Sequence, residues 1–447
     1  MRWVVRIMGF TVAAISLATG AAQAGPLSAG AIFSEFNDVI FGNLTTSSEV
    51  EGRTVVGGNL TVNNSVNFEI KSGLSPAPGF GALSVYGNVS GSNATLNINN
   101  EGVAIGGSNN AGLGMNAAGT VYIGSTNSGS ITGAAGSVTV VGANSANSIA
   151  ISGGSVYLGG NSGGITANGA TTISINGNNS ANLNLNGNTT VRLNGSNTGN
   201  ISVNGGTLQY TGSPGTISNI NGGSVTQVSN LNLTPPASTL GSFASTFLTP
   251  LTQLSTQLAG VKANSTATLV GNSLTFNGSP SSSGVEVFNV NTSQFAGASS
   301  ITLNLANATS VIINVNVDSC SSNVCAFSPT TNFNDTSYAG QLLWNFVNAT
   351  NLNFTTQFGG SILAPDAAIT ATSEIDGTVV ANSLNTTAEL HSYPYTGTFP
   401  GSVPAPEPAG LAVIGTGLIG LAAIRRQRKA PSLKRDPGQA AAGSDRL

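Results

Sequence analysis

Between Val103 and Tyr210 one small pattern returns seven times: an apolar residue, a free position, and a second apolar residue. The pairs are Val103/Ile105, Val121/Ile123, Val138/Val140, Val156/Leu158, Ile173/Ile175, Val191/Leu193 and Leu208/Tyr210, and both members advance by 18, 17, 18, 17, 18 and 17 residues. A triplet of this kind, in an extended chain, sends its ends to one face and its centre to the other, so each makes a short strand buried on one side. One such strand has no core of its own. Stacking the turns at about 4.8 Å places like residue on like residue and closes a narrow apolar interior, the signature of a β-solenoid. A second track, Leu113, Ile131, Ile149, Ala167, Leu185, Val203 and Ile220, advances by 18 until a final 17 and predicts a second inward strand in each coil. A flexible Gly/Asn/Ser linker would not keep two apolar tracks in phase over such a length.

Gly106, Gly124, Gly142, Gly159, Gly177, Gly195 and Gly212 recur just after the strands, where a sharp turn is expected. Asn residues near them are suited to stacked amide ladders or left-handed turns. Only 6% of the 447 residues are charged, and segment 83–234 holds just Glu101 and Arg192. The formal charge of −3 conceals an uneven distribution. From Gly25 to Pro400 only Arg53, Lys71, Arg192 and Lys262 oppose 13 carboxylates, a balance that disfavours nucleic acid as a partner.

The two ends read as export signals. Arg2 and Arg6 precede an apolar stretch around Met8 to Leu17, and Ala22-Gln23-Ala24 stands before Gly25. This is the layout of a signal peptide over 1–24, with signal peptidase expected to cut between Ala24 and Gly25. Export to an oxidising compartment would allow Cys320 and Cys325, the only cysteines, to close a small disulfide loop, with free or metal-binding thiols as the alternative. At the other end Pro406-Glu407-Pro408 leads into sixteen small or apolar residues, Ala409 to Ile424, and then Arg425, Arg426, Arg428 and Lys429. Sixteen helical residues rise about 24 Å, short for a bilayer core of about 30 Å, and the basic cluster would stay on the cytoplasmic side.

This tripartite tail, 403–429, resembles the PEP-CTERM sorting signal. The resemblance implies transient anchoring of 409–424 in the inner membrane and processing by an exosortase near Pro406-Glu407-Pro408. The tail over 430–447 would be cytoplasmic and is longer than is usual for that signal. An ordinary C-terminal anchor is the alternative.

The segments flanking the repeat add a second resemblance. Phe36 to Leu44, Ser47 to Arg53 and Val55 to Leu60 precede it; Pro235-Pro236 then opens a helical spacing at Leu240, Phe243, Phe247, Leu251, Leu254 and Leu258, with Pro250 an expected kink. Strand patterning resumes at Val285–Val290, Val311–Val317, Gln341–Phe346, Gly360–Asp366, Ile375–Leu384 and Glu389–Tyr395. In this order the blocks are similar to the choice-of-anchor A domain of bacterial surface proteins, covering about 33–75 and 238–400, with the long repeat as an expansion inside it. That family is adhesin-like, and the likeness implies the right-handed parallel β-helix of ice-binding-like domains with one helix alongside. The expected architecture is therefore all-β: a signal helix, a solenoid domain over 25–402 with a helix at 237–261, and a C-terminal transmembrane helix.

No catalytic constellation emerges, and no cofactor is called for. His391 is the sole histidine, in a stretch expected to be structural, so a zinc site or a catalytic triad lacks its parts. Asp366, Glu374, Asp376 and Glu389 gather late in the chain, but their spacing matches neither an EF-hand nor a Gly-Gly-x-Gly-x-Asp repeat, and they read as solvated carboxylates. The outward centres of the triplets form the column Ala104, Tyr122, Thr139, Tyr157, Ser174, Arg192 and Gln209. Tyr122, Tyr157 and Arg192 are the candidate ligand contacts there, suited to sugar rings or another protein. The mixed column is a poor match for ice, which favours a flat array of similar small residues. The expected function is a non-enzymatic surface or matrix adhesin whose partner is an exopolysaccharide or a cell-surface ligand. An ice- or carbohydrate-binding module and a polysaccharide-degrading enzyme are the alternatives.

Overall fold

The apolar triplets lie on short strands stacked in parallel register. Val103 stands between Leu83 and Val121, and the column continues through Val138, Val156, Ile173, Val191, Leu208 and Val225. The structure, a computed structural model, describes residues 27–71, 79–151, 154–167, 171–186, 188–218, 221–279 and 281–400. The proposed signal segment and the PEP-CTERM-like tail lie outside these residues. Among the described residues no helix is long and apolar enough to cross a membrane. The architecture is a β-solenoid whose inward side chains form one continuous buried cluster along the coil axis.

The second inward track exists, but it follows a different set of residues. Leu113, Ile131 and Ile149 continue into Ile165, Leu183, Ile201 and Ile217, whereas Ala167, Leu185 and Val203 belong to the neighbouring column with Ile151. The step from Ile149 to Ile165 is shorter than its neighbours. Residues i and i+2 of a strand face the same side, so a count of 18 steps unnoticed from one inward column to the next. Ile220 lies outside the described residues.

The recurring glycines serve close approach rather than left-handed turns. None of Gly106, Gly124, Gly142, Gly159, Gly177, Gly195 and Gly212 has a positive φ. A Cβ on any of them would come within 2.1–2.8 Å of a backbone oxygen of the preceding coil. Gly159 is the tightest, at 2.1 Å from the Val141 carbonyl oxygen, while a Cβ on its neighbour Gly160 meets nothing closer than 3.7 Å. Gly159→Ala is therefore expected to destabilise the coil by at least about 2 kcal/mol, and Gly160→Ala to change it by less than about 1. Urea unfolding of the two variants checks this.

An amide ladder does form, in a buried column. Asn109, Asn127, Asn144, Asn161, Asn179 and Asn197 each stand one coil from the next, and each Nδ2 donates to the following Oδ1 at 2.6–2.9 Å. Most of the same amides also donate to the carbonyl two residues on, as Asn161 does to Gly163. Each side chain thus satisfies the corner of its own coil and fixes the register of the next.

The order of the coils differs from the order of the chain. The first strand, Asp38–Ile40, is sandwiched between Thr54–Val56 on one side and Val379–Thr386 on the other. From it the chain winds away through the repeat to Ser224–Gln227. It then runs back, starts again at Val285–Asn291, and climbs through Ser310–Asn316, Leu342–Phe346 and Ser361–Ala371 to close against the first strand.

The return segment is a strap. Eight strand steps of about 4.8 Å separate Ser224–Gln227 from Leu83–Val85, roughly 38 Å. Residues 228–243 reach at most about 50 Å, so the strap spans the stack with about 12 Å to spare. Val228 N–H donates to the Tyr210 carbonyl at one end, and at the other the Phe243 ring lies 5.1 Å from Tyr86.

Helical structure begins at Ala244, seven residues later than the 237–261 boundary. A π-turn at Ala244–Leu248 is followed by an α-helix at Thr249–Ala259. Leu240 and Phe243 therefore belong to the strap or its junction. Pro250 occupies the first turn of the α-helix instead of kinking its interior, and the wide turn before it has Thr249 N–H reaching back to the Ala244 carbonyl.

This helix and the shorter Ala29–Glu35 helix cover outward residues at the junction. Phe247, Leu251 and Leu258 share a second buried cluster with Val39, Val55, Ile312, Leu343, Leu363 and Val380. Three stacked amides bind the helix end: Asn345, Asn314 and Asn289 donate to the carbonyls of Ser255, Leu258 and Val261.

Asp38 carries an unusual cost at this junction. It alternates with Val39 and shares the inward side of Ile40, its side chain is fully buried, and neither carboxylate oxygen has a hydrogen-bond partner among the described residues. Burial pushes its pKa up to about 8. The folded state therefore holds a proton that the unfolded chain releases near pH 4, so stability falls as pH rises from about 4 to 8 and is flat above. Asp38→Asn is expected to remove this slope, gaining on the wild type by a few kcal/mol across that window. Chemical denaturation as a function of pH gives the measurement.

A neutral two-column face as the candidate functional site

The junction between first and last coils carries a polar face on its second strand layer. Polar-apolar-polar triplets supply it: Asn351-Leu352-Asn353, Ala368-Ile369-Thr370, Ser383-Leu384-Asn385, Asn43-Leu44-Thr45, Asn59-Leu60-Thr61 and Asn88-Val89-Ser90. Strand pairing stacks the six in that order. Their central residues are buried in the core, at no more than 2% exposure, so the flanking residues point outward. Two parallel columns result, one of Asn351, Ala368, Ser383, Asn43, Asn59 and Asn88, the other of Asn353, Thr370, Asn385, Thr45, Thr61 and Ser90. The repeat is about 4.8 Å between strands and about 7 Å along each strand.

Local hydrogen bonds hold several of the side chains from the N-terminal coils in place. Asn43 Oδ1 accepts from the Asn59 backbone N–H, and Asn59 Oδ1 from that of Asn88, both at 2.9 Å. Thr61 Oγ1 and Ser90 Oγ are 3.1 Å apart. Beside the first triplets lies a shallow groove of about 520 Å³, lined by Ala326, Ser328, Asn351, Asn353, Ala368 and Thr370. No position in either column titrates near neutral pH. The face can offer donors, acceptors and shape, but no acid or base.

The family model described as "Putative Ice-binding-like adhesive domain" matches residues 29–152 and 135–392, most of the chain. The chain belongs to this ice-binding-like adhesive family. No curated protein matches the chain in sequence. Among solved structures, "a possible adhesin C-terminal domain from Caldicellulosiruptor kronotskyensis" is 14% identical, with a TM-score of 0.31, covering 86% of this chain and 96% of that one. An ice binding protein from an Antarctic bacterium, Flavobacteriaceae, is 12% identical, with a TM-score of 0.20, covering 85% and 100%.

Within the adhesive domain, the column expected to carry Tyr122, Tyr157 and Arg192 is in register, but it is a poor ligand face. Tyr122 pairs with Thr139, Thr139 with Tyr157, and Ser174 with Arg192. Ala104, Thr139 and Tyr157 are buried, Tyr157 at 7% exposure, and Tyr122 and Arg192 are half-buried. Thr239 of the strap shares a groove with Ala104 and Thr120 at one end of this column. Burial raises the Tyr157 pKa, against a hydrogen bond with Asn176.

The charged candidates also have structural partners. Cys320 and Cys325 are disulfide-bonded across a tight hairpin, with Cα atoms 4.2 Å apart. Asp376 is buried rather than solvated: His391 Nδ1 lies 2.6 Å from one oxygen, and Gln357 donates to the other. Glu389 faces the other ring nitrogen of His391, while Asp366 is exposed beside the polar face. Burial pulls the His391 pKa down, but its bonds to Asp376 and Glu389 outweigh this and hold it above its usual value. That contribution to stability is full in acid and is lost as pH rises through the folded pKa. Glu101 is engaged by Arg53 at 2.7 and 3.0 Å, with buried Glu69 on the other side of the guanidinium. Among the described residues no group of three His, Cys, Asp or Glu is placed to hold a metal ion.

The six triplets of the polar face were present in the sequence, and two Asn-Leu-Thr triplets begin 16 residues apart, at Asn43 and Asn59. The missing information was the pairing of Leu44 with Leu384, which joins residues 340 positions apart.

Proposed function

We propose that this chain is an exported, non-enzymatic surface adhesin that grips its target through the two-column face, with exopolysaccharide or a cell-surface glycan as the target. The observation that carries the reading is the face itself: twelve small outward side chains, uncharged and register-locked, on a rigid coil. Membership of an adhesive family supports it. The sequence signals at the two ends support secretion followed by exosortase sorting, and the order of blocks supports placement among choice-of-anchor A proteins. On this reading the domain is displayed at the cell surface or in the extracellular matrix.

A second reading, ice binding, is favoured by one specific feature. The two columns are built of Thr, Ser, Asn and Ala in continuous strand register, unlike the mixed column over Tyr122.

Retention of residues 25–402 on exopolysaccharide, cells and host matrix tests the adhesive reading. Thr61→Tyr combined with Thr370→Tyr should reduce retention at least tenfold, whereas Thr132→Tyr on the other sheet should not. Equal retention of both variants would refute the assignment of the face. Thermal hysteresis above that of a control protein, lost in the same double variant, would select ice instead. Sorting is separable from both: Glu407→Ala is expected to leave the C-terminal tail uncleaved on an immunoblot, and unchanged processing would exclude the exosortase step.

A further inference from the structure

A second groove lies where the α-helix stops short of the end of the sheet it covers. Its volume is about 290 Å³, and its lining includes Ala259, Asn291, Gln294, Asn314, Asn316 and Val347. The volume is at the small end of the range for ligand pockets and suits a single ring rather than a chain. Ala259, the last residue of the helix, forms one wall. The capped turn Thr292–Phe295 carries Gln294 into another.

The carboxamides here are only partly occupied. Asn314 is consumed by structure, donating to the Leu258 carbonyl and to Asn289 Oδ1. Asn316 donates to Asn291 Oδ1, and Gln294 Oε1 accepts from the Asn291 backbone N–H. Among the described residues this leaves Gln294 Nε2 and Asn291 Nδ2 as donors, and Asn316 Oδ1 as an acceptor, without partners. Each is held by its other end. Two fixed donors and one fixed acceptor beside the aliphatic surface of Val347 and Ala259 match the alternation of hydroxyl and C–H surface on a sugar ring. No charged side chain lines the groove, which argues against an ionic ligand.

We infer that this groove binds one ring of an uncharged sugar, independently of the two-column face. The amides select a neutral polyhydroxylated ligand, and the small volume limits it to one residue of a glycan, at a chain end or a branch. A site of this size with three polar contacts gives a dissociation constant on the order of 1 mM.

Saturation-transfer NMR titrations of the full chain against glucose, galactose, mannose, rhamnose and N-acetylglucosamine test the inference. At least one sugar should bind saturably. Gln294→Ala, which removes a donor, and Ala259→Leu, which fills the groove without altering a polar group, should each weaken it at least fivefold. Thr61→Tyr with Thr370→Tyr should leave it unchanged, so failure here is distinct from failure of the adhesive face. Absence of saturable binding by all five sugars, or binding insensitive to Ala259→Leu in a variant with an unchanged unfolding midpoint, would overturn the proposal.

Discussion

The closure of this molecule depends on the pairing of its first strand with Val379–Thr386. Asp38–Ile40 has neighbours on both sides only when Val379–Thr386 has come back to it, and the two arrive from opposite directions along one axis. An ordinary solenoid leaves its first coil as an end. Here the first coil is interior, and the outward residues at the joint are sealed by two helices and a run of aromatic rings. The unpartnered carboxyl of Asp38 at this joint is an opposing term. The surrounding apolar burial must outweigh it.

The functional reading follows from the same joint. Three triplets of the neutral face come from the N-terminal coils and three from the C-terminal coils. The face is therefore a property of the closed molecule, absent from either half. Its floor is the buried Leu and Ile of the coil, which restrict backbone and side-chain movement. A surface preordered in this way loses little entropy on contact with a rigid target, which compensates for the weakness of individual hydroxyl and amide contacts.

Local periodicity made the shaft legible. The inward pairs from Val103 to Tyr210 and the return of strands after Val285 follow from alternation alone, and so does the helix around Leu251 and Leu258. Three kinds of information were not local. Positions 165 and 167 lie two apart on one strand, so spacing could not choose between them. The glycines after each strand answer to the neighbouring coil, and their spacing is the same whether a turn or a close approach is the cause. Tyr157 looked outward in its own strand, yet it is buried in the folded coil, where Asn176 of the next coil is its hydrogen-bond partner. The polar columns were hidden for the same reason, because half of each lies at the far end of the chain.

The strap makes the length of the molecule a coupled quantity. A coil of 17 or 18 residues lengthens the shaft by about 4.8 Å, so the roughly 12 Å that the strap has in reserve covers about two more coils before further residues are required. Beyond that reserve, whole coils can be gained only together with added length in a segment distant from them in sequence. Residues 228–243 act as a ruler that limits how many repeats the domain can carry before the helix is pulled off the joint.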